Sequence, residues 1–322
     1  MVSTIRVYHS IMNTRDRTYA PFTPKMALNL AAPHTWPAAI MPTLVAVSAA
    51  VATGPVSVTM TIVLLVIVIL MQSAVNTFND YYDYVKGTDS EEDNVDPSDA
   101  VLVYNDVNPK SALLLAIGFL VAAFLLGIYA IVKAGFAPLI IALVGALFVV
   151  LYSAGKSPIS YLPLGELVSG VVMGGLIPLA VYQVLTGILD FRMMLLAIPT
   201  IIGVGLIMFT NNTCDIERDI PSGRKTLPVL LGRQNAVAWY RIALVVWMLD
   251  IVLNTVIWYT PGLIVMPFML LASYPLVKAL FTNTFMPERR LQAMPQILSV
   301  NIVLGAFYAA AILACASISL VV

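Results

Sequence analysis

Asn76-Thr77-Phe78-Asn79-Asp80-Tyr81-Tyr82-Asp83-Tyr84-Val85-Lys86-Gly87-Thr88-Asp89 follows directly on an almost entirely apolar run, residues 56–75. A membrane helix should be leaving the hydrocarbon there, and carboxylates at that depth cost free energy unless they are paired or bind a cation. On a helix Asn76, Asp80 and Asp83 stand at i, i+4 and i+7, which places one amide and two acids on one face, with Tyr84 four residues beyond Asp80. Like charges so arranged repel each other, and the cluster therefore asks for a function.

Working outward, 60% of the 322 residues are hydrophobic and 11% are charged. Mean hydropathy is +0.92. A soluble chain carries about 25% charged residues, so the composition implies a polytopic membrane protein. Lys+Arg and Asp+Glu both number 17. Nothing in that balance points to a nucleic-acid partner, and the distribution of charge along the chain carries the information. Cys214 and Cys315 have no CxxC spacing and suggest neither a disulfide framework nor a zinc site. The first 25 residues are polar, with Arg6, Arg15, Arg17 and Lys25, and read as the start of a cytoplasmic N-terminal arm over 1–33.

Scanning for stretches of about 20 apolar residues predicts nine spans, near 34–53, 56–78, 111–132, 137–153, 165–185, 193–212, 237–257, 262–282 and 296–319. The expected fold is an all-α integral membrane protein with about nine transmembrane helices. Every Lys and Arg except Lys133 and Arg192 falls in the arm, in the connections after spans two, four, six and eight, or in their flanks. By the positive-inside rule the N-terminus and those loops are cytoplasmic, in a multi-pass protein of the cell (inner) membrane. The domain reading is one transmembrane domain over 34–322, with pseudo-repeat halves near 34–153 and 165–282 and a last helix.

The second long loop repeats the chemistry of the first. Asn211, Asp215 and Asp219 in Asn211-Asn212-Thr213-Cys214-Asp215-Ile216-Glu217-Arg218-Asp219 stand at i, i+4 and i+8. Asp80 and Asp215 are 135 residues apart with four expected spans between them, so the two clusters share one orientation. Carboxylates and amide oxygens are hard ligands suited to Mg²⁺ or Ca²⁺, and Mg²⁺ commonly binds through one or two carboxylates plus phosphate oxygens. A diphosphate held by magnesium between the clusters fits, with Lys86, Lys156, Arg218, Arg224 and Lys225 as cations for the remaining phosphate charge. At the mouth of an apolar bundle, such a substrate would carry a lipid.

These residues carry a resemblance. Asn76-x-x-Asn79-Asp80-x-x-Asp83-x-x-Lys86-Gly87, Tyr152-Ser153-Ala154-Gly155-Lys156-x-Pro158 through Gly165-Glu166, and Asn211-Asn212-x-x-Asp215-x-x-x-Asp219 with Gly223-x-Lys225-Thr226-Leu227 resemble the UbiA superfamily of intramembrane prenyltransferases. The closest likeness is to the branch that prenylates 1,4-dihydroxy-2-naphthoate for menaquinone synthesis. The resemblance implies helices around a central cavity and Mg²⁺ on Asp80, Asp83, Asp215 and Asp219, completed by Asn76 and Asn211. It also implies that Lys86, Lys156, Arg224, Lys225 and Tyr152 bind the substrates, a polyprenyl diphosphate and an aromatic acceptor, in a protein whose other partner is the lipid bilayer.

Blander readings stand beside these. Asn76–Asp83 by itself could cap a helix where it meets water, and the acidic run 89–99 reads as a solvated loop. Arg289 and Arg290 read equally well as positive-inside anchors, and Glu166 as an acid favouring a helix N-terminus. Asp250 lies within span seven with no role assigned. A secondary transporter is the rival from another class, but its site would be expected near the bilayer midplane.

Overall fold

The computed structural model describes residues 19–86, 100–153, 158–316 and 320–321. The described chain is helical apart from one short parallel pair, β1 (Val56–Ser57) with β2 (Leu320–Val321), in the register Val56 opposite Leu320. Six helices are long and apolar enough to cross a membrane, and a bent pair, Pro24–Thr35 with Pro37–Thr53 at 55°, makes a seventh when taken as one span. Two shorter apolar helices, Ala137–Tyr152 and Ile198–Cys214, complete the set. Each of the nine expected stretches thus falls on a helix, while six reach full spanning length in one piece.

The helices gather into two compact units. The smaller unit takes residues up to His34 and Leu70–Ala122. It contains α1 (Pro24–Ala31), the last turns of α3 (Val58–Lys86), α4 (Val101–Tyr104) and the first half of α5 (Pro109–Ala134). Helix α1 lies where the sequence suggested arm. Thr23 caps it by accepting from the Met26 N–H, Pro24 fits its first turn, and Ala32 closes it in the left-handed region. Leu30 from α1 packs with Val101, Leu102, Val107 and Ala112 in this unit's own apolar cluster. Helix α3 runs on to Lys86, beyond the expected end near residue 78, so the first polar motif is helical from Asn76 to Lys86 and not a loop beyond a span.

The larger unit takes Thr35–Ile69 and Ala123–Val322. It holds α2 (Pro37–Thr53), α6 (Ala137–Ser153), α7 (Gly165–Thr186), α8 (Arg192–Leu196), α9 (Ile198–Cys214), α10 (Ile216–Asp219), α11 (Leu227–Leu231), α12 (Arg233–Trp258), α13 (Met266–Thr282) and α14 (Arg290–Leu313). Small residues on α2 (Ala38, Ala39, Ala46, Ala49 and Ala50) are all buried, and α2 packs on α14 and α7. Close backbone approach of this kind replaces the hydrophobic effect as the force that holds helices together in lipid. Helix α9 is the hub, touching α7, α12 and α14. Its contact with α7 is made through a π-helical stretch, Gly170–Leu176. There a Cβ on Gly174 would stand 2.5 Å from the Thr200 carbonyl oxygen, so glycine is required for the approach. The Thr200 hydroxyl lies 2.6 Å from the Gly174 carbonyl oxygen and donates to it, supplying a hydrogen bond beside the altered π register.

Candidate metal and diphosphate site

Each aspartate motif sits in a different unit. In the smaller unit, Asn76, Asp80 and Asp83 occupy the last turns of α3, and the Asp80 side chain turns toward the start of α4. Its carboxylate accepts from the Val101 N–H at 2.8 Å and from the Leu102 N–H at 3.3 Å. Ala100, at the N-cap position of α4, has no side chain able to do this, so an aspartate 21 residues before Val101 supplies the cap. Asn76 is oriented from both ends: its amide donates to the Ala31 carbonyl at 3.0 Å and its oxygen accepts from Gln72 at 3.2 Å. The neighbouring Thr77 hydroxyl bonds the Leu30 carbonyl, which ties α1 to the motif. Lys86 ends α3.

In the larger unit, the second motif straddles the end of α9. The four-residue ladder continues through it, with Asp215 N–H to the Asn211 carbonyl at 3.1 Å and Asp219 N–H to the Asp215 carbonyl at 2.8 Å. The expected helical spacing is therefore present in the backbone, although the side chains take different partners. Asn211 Oδ1 accepts from Arg290 Nη2 at 2.7 Å, and Asp215 Oδ1 lies 3.2 Å from Arg290 Nε. Asp219 faces the loop that follows. Its Oδ1 lies 3.5 Å from Arg224 Nη1, and its Oδ2 accepts from the Thr226 hydroxyl at 3.4 Å. Its carbonyl accepts from the Arg224 N–H and the Ser222 hydroxyl. Gly223, at φ +76°, lets the chain wrap this tightly.

Asp219 is 1% exposed. Burial pushes its carboxyl up to about 6; the Arg224 charge opposes the shift and the Asp215 charge adds to it. Arg224 also lies over the Tyr161 ring at 4.8 Å, and the Lys225 N–H donates to the Tyr161 carbonyl, so the 159–161 turn braces the loop. The Lys225 side chain is exposed. Tyr152, at the end of α6, brings its hydroxyl to 3.7 Å from a Cβ built on Gly165. Lys156 and the acidic run 89–99 lie outside the described residues.

The long-range partners are what sequence reading missed. Arg233 donates to the Thr213 carbonyl at 2.8 Å, to the Phe285 carbonyl and to Glu217, closing the C-terminal end of α9, where the helix dipole favours a cation. Glu166, read as a helix-start residue, is 5% exposed and accepts from Asn212 at 2.8 Å, while its Oε2 is buried with no hydrogen-bond partner among the described residues. Local spacing gives no signal for either arginine or for Glu166, because their partners are 16 to 79 residues away.

Among the described residues, no group of three or more His, Cys, Asp or Glu converges on one point. Each motif brings two carboxylates and an asparagine oxygen, a hard all-oxygen set. Asp80 accepts a backbone bond on each oxygen. Such a donor set fits Mg²⁺ that takes its other ligands from phosphate and water, and does not make a closed protein cage.

A profile of the UbiA prenyltransferase family matches residues 39–302. The chain is similar to a 1,4-dihydroxy-2-naphthoate octaprenyltransferase of Bacillus subtilis (strain 168), 36% identical over 208 residues, which is 65% of this chain and 66% of that protein. The match thus spans just under two thirds of the Bacillus protein's length. It is also similar to UbiA prenyltransferase domain-containing protein 1 of Danio rerio, 29% identical over 248 residues, 76% of this chain and 73% of that one. Among solved structures, a UbiA homolog from Aeropyrum pernix K1 superposes with a TM-score of 0.63 at 17% identity, covering 84% of this chain and 96% of that one. A UbiA homolog from Archaeoglobus fulgidus bound to DMAPP and Mg²⁺ superposes with a TM-score of 0.57 at 14% identity, covering 88% and 98%. At these identities the structural likeness is one of fold.

Proposed function

The chain belongs to the UbiA prenyltransferase family, and on that premise we propose that it transfers a polyprenyl group from a prenyl diphosphate to 1,4-dihydroxy-2-naphthoate, a step of menaquinone biosynthesis. The observation that carries the reading is the doubled motif: an apolar chain keeps two pairs of aspartates, Asp80 with Asp83 and Asp215 with Asp219, each led by an asparagine four residues earlier. The acceptor assignment is supported by the likeness to the Bacillus protein.

The four aspartates would hold Mg²⁺, with the Asn76 and Asn211 oxygens completing the set. When bound, Mg²⁺ supplies positive charge against the negative charge that gathers on a departing diphosphate. Arg224 and Lys225, with Lys86 and Lys156, grip phosphate oxygens, and Tyr152 contributes to substrate binding. The allylic C–O bond breaks, and the electron-rich ring of the acceptor forms the new C–C bond while its carboxylate leaves as carbon dioxide. Apolar helices around the reacting carbon exclude the water that would otherwise capture the allyl cation.

We read the chain as crossing nine times, with the N-terminus and both motifs on the cytoplasmic side of the cell membrane. The Lys and Arg distribution supports this. Labelling of single cysteines near Lys133 and near Arg224 tests it, and reaction of both from the same side refutes it.

The activity is tested by incubating purified protein with Mg²⁺, prenyl diphosphates of several lengths and a panel of aromatic acceptors, followed by mass spectrometry. Prenylated naphthoquinol that has lost its carboxylate is the expected product. Prenylation of a different acceptor refutes the naphthoate assignment, and no product with any acceptor refutes the transferase reading.

A further inference from the structure

Helix α14 opens with two consecutive arginines that the fold treats differently. Arg289 is exposed and donates to Gln292 one turn along its own helix, at 2.9 Å. The Arg290 side chain is 16% exposed and reaches across to the second motif. There its Nη2 donates to Asn211 Oδ1 at 2.7 Å and its Nε lies 3.2 Å from Asp215 Oδ1. One guanidinium therefore spans the i and i+4 side chains of the motif, 79 residues away in sequence. The electrostatics of α14 do not account for this placement, because the N-terminal end of a helix is the unfavourable end for a cation. The attraction comes from Asp215 and from the C-terminal end of α9, whose dipole is negative there.

The two oxygens that Arg290 holds are donors the proposed function assigns to a metal. A guanidinium and a divalent cation on the same oxygens compete, since the hydrogen bond to Asn211 uses a lone pair and the ion pair with Asp215 offsets charge that a metal would need. A diphosphate changes the balance. It brings several negative charges, and the flat two-pronged guanidinium matches phosphate as well as it matches carboxylate.

We propose that Arg290 is a positioning residue that holds Asn211 and Asp215 in register while the site is empty and passes its guanidinium to the diphosphate when metal takes the two oxygens. The inference rests on the prenyl diphosphate reading and deepens it. It makes the site poor at binding metal alone and good at binding metal and diphosphate together, which keeps the charged pocket neutralised between turnovers.

The test measures Mn²⁺ binding to the full chain in detergent micelles by electron paramagnetic resonance, with and without inorganic pyrophosphate. Arg290→Gln should bind Mn²⁺ alone about threefold more tightly, as expected for loss of a modest ion pair. It should bind Mn²⁺ with pyrophosphate about tenfold more weakly, as expected for loss of one charge-assisted bond. Arg290→Lys, which keeps the charge but loses the fork, should move both affinities the same ways by less and carries the sign test if the glutamine variant does not fold. Shifts of both affinities in one direction, or in neither, overturn the proposal and leave Arg290 as a brace. Wild-type protein that binds no Mn²⁺ under either condition overturns the diphosphate reading, and the inference with it.

Discussion

Replacing Asp80 separates a structural duty from a chemical one. Its carboxylate is 7% exposed and accepts two backbone N–H groups, those of Val101 and Leu102, which are themselves 0% and 1% exposed. Asp80→Ala removes the acceptor for both. Losing an N-cap costs about 0.5–2 kcal/mol, and a buried donor left without an acceptor about 1–3 kcal/mol, so the start of α4 should weaken by roughly 2–4 kcal/mol. Asp80→Asn keeps one side-chain oxygen for the Val101 N–H, the shorter bond, and sets its NH2 against the Leu102 N–H, so it should cost about 1–2 kcal/mol, less than alanine. Hydrogen exchange resolves the difference: at about 1.4 kcal/mol per tenfold, the Val101 and Leu102 amides should exchange at least about 30-fold faster in the alanine variant and be accelerated less in the asparagine variant, with Val101 the better protected of the two. Turnover should fall by about 100-fold or more in both variants, because the charge is gone in both. Wild-type exchange at Val101 and Leu102 in Asp80→Ala would refute the capping argument, and near-normal turnover in Asp80→Asn would remove Asp80 from the metal.

Asp219, raised to about 6 by burial in the metal-free protein, must give up its proton to bind a cation, so Mg²⁺ affinity should weaken as pH drops through about 6, measured by metal titrations at a series of pH values in which an ordinary carboxylate would hold to lower pH. In the metal-free protein the same group acts in the opposite direction: its raised pKa costs stability at neutral pH, and that cost is relieved as the carboxyl takes up its proton. Gly262→Ala would place a Cβ 2.2 Å from the Ala311 carbonyl oxygen, and overpacking of this kind should lower stability by about 1–3 kcal/mol in a thermal unfolding series with turnover chemistry unchanged. Arg233→Ala releases the Thr213 and Phe285 carbonyls together with Glu217, and should destabilise more than Arg241→Ala, which gives up one bond to the Phe281 carbonyl and a ring contact; melting temperatures rank the two.

The apolar runs and the spacing of the two aspartate motifs were legible because both are local: a span is a property of consecutive residues, and i, i+4 spacing decides which side chains share a helix face. The N-terminal helix was missed although Thr23 and Pro24 announce it, because the polar, basic composition of the arm outweighed an eight-residue signal. The π-helical stretch at Gly170–Leu176 was not legible either, since its register answers to the close approach of Thr200 and Ile201 on another helix. Arg290, Arg233 and Glu166 share this character. Each takes its meaning from a tertiary partner, and without that partner a cation or acid at a helix start reads as an anchor or a cap.

The central claim is that this chain is a prenyltransferase in which both aspartate motifs serve a Mg²⁺-dependent reaction. Turnover of a prenyl diphosphate in the presence of Mg²⁺, measured for Asp83→Asn and for Asp215→Asn, tests it most directly. The account predicts that each change lowers turnover by about 100-fold or more while the protein stays folded. Near-normal turnover in either variant would contradict it.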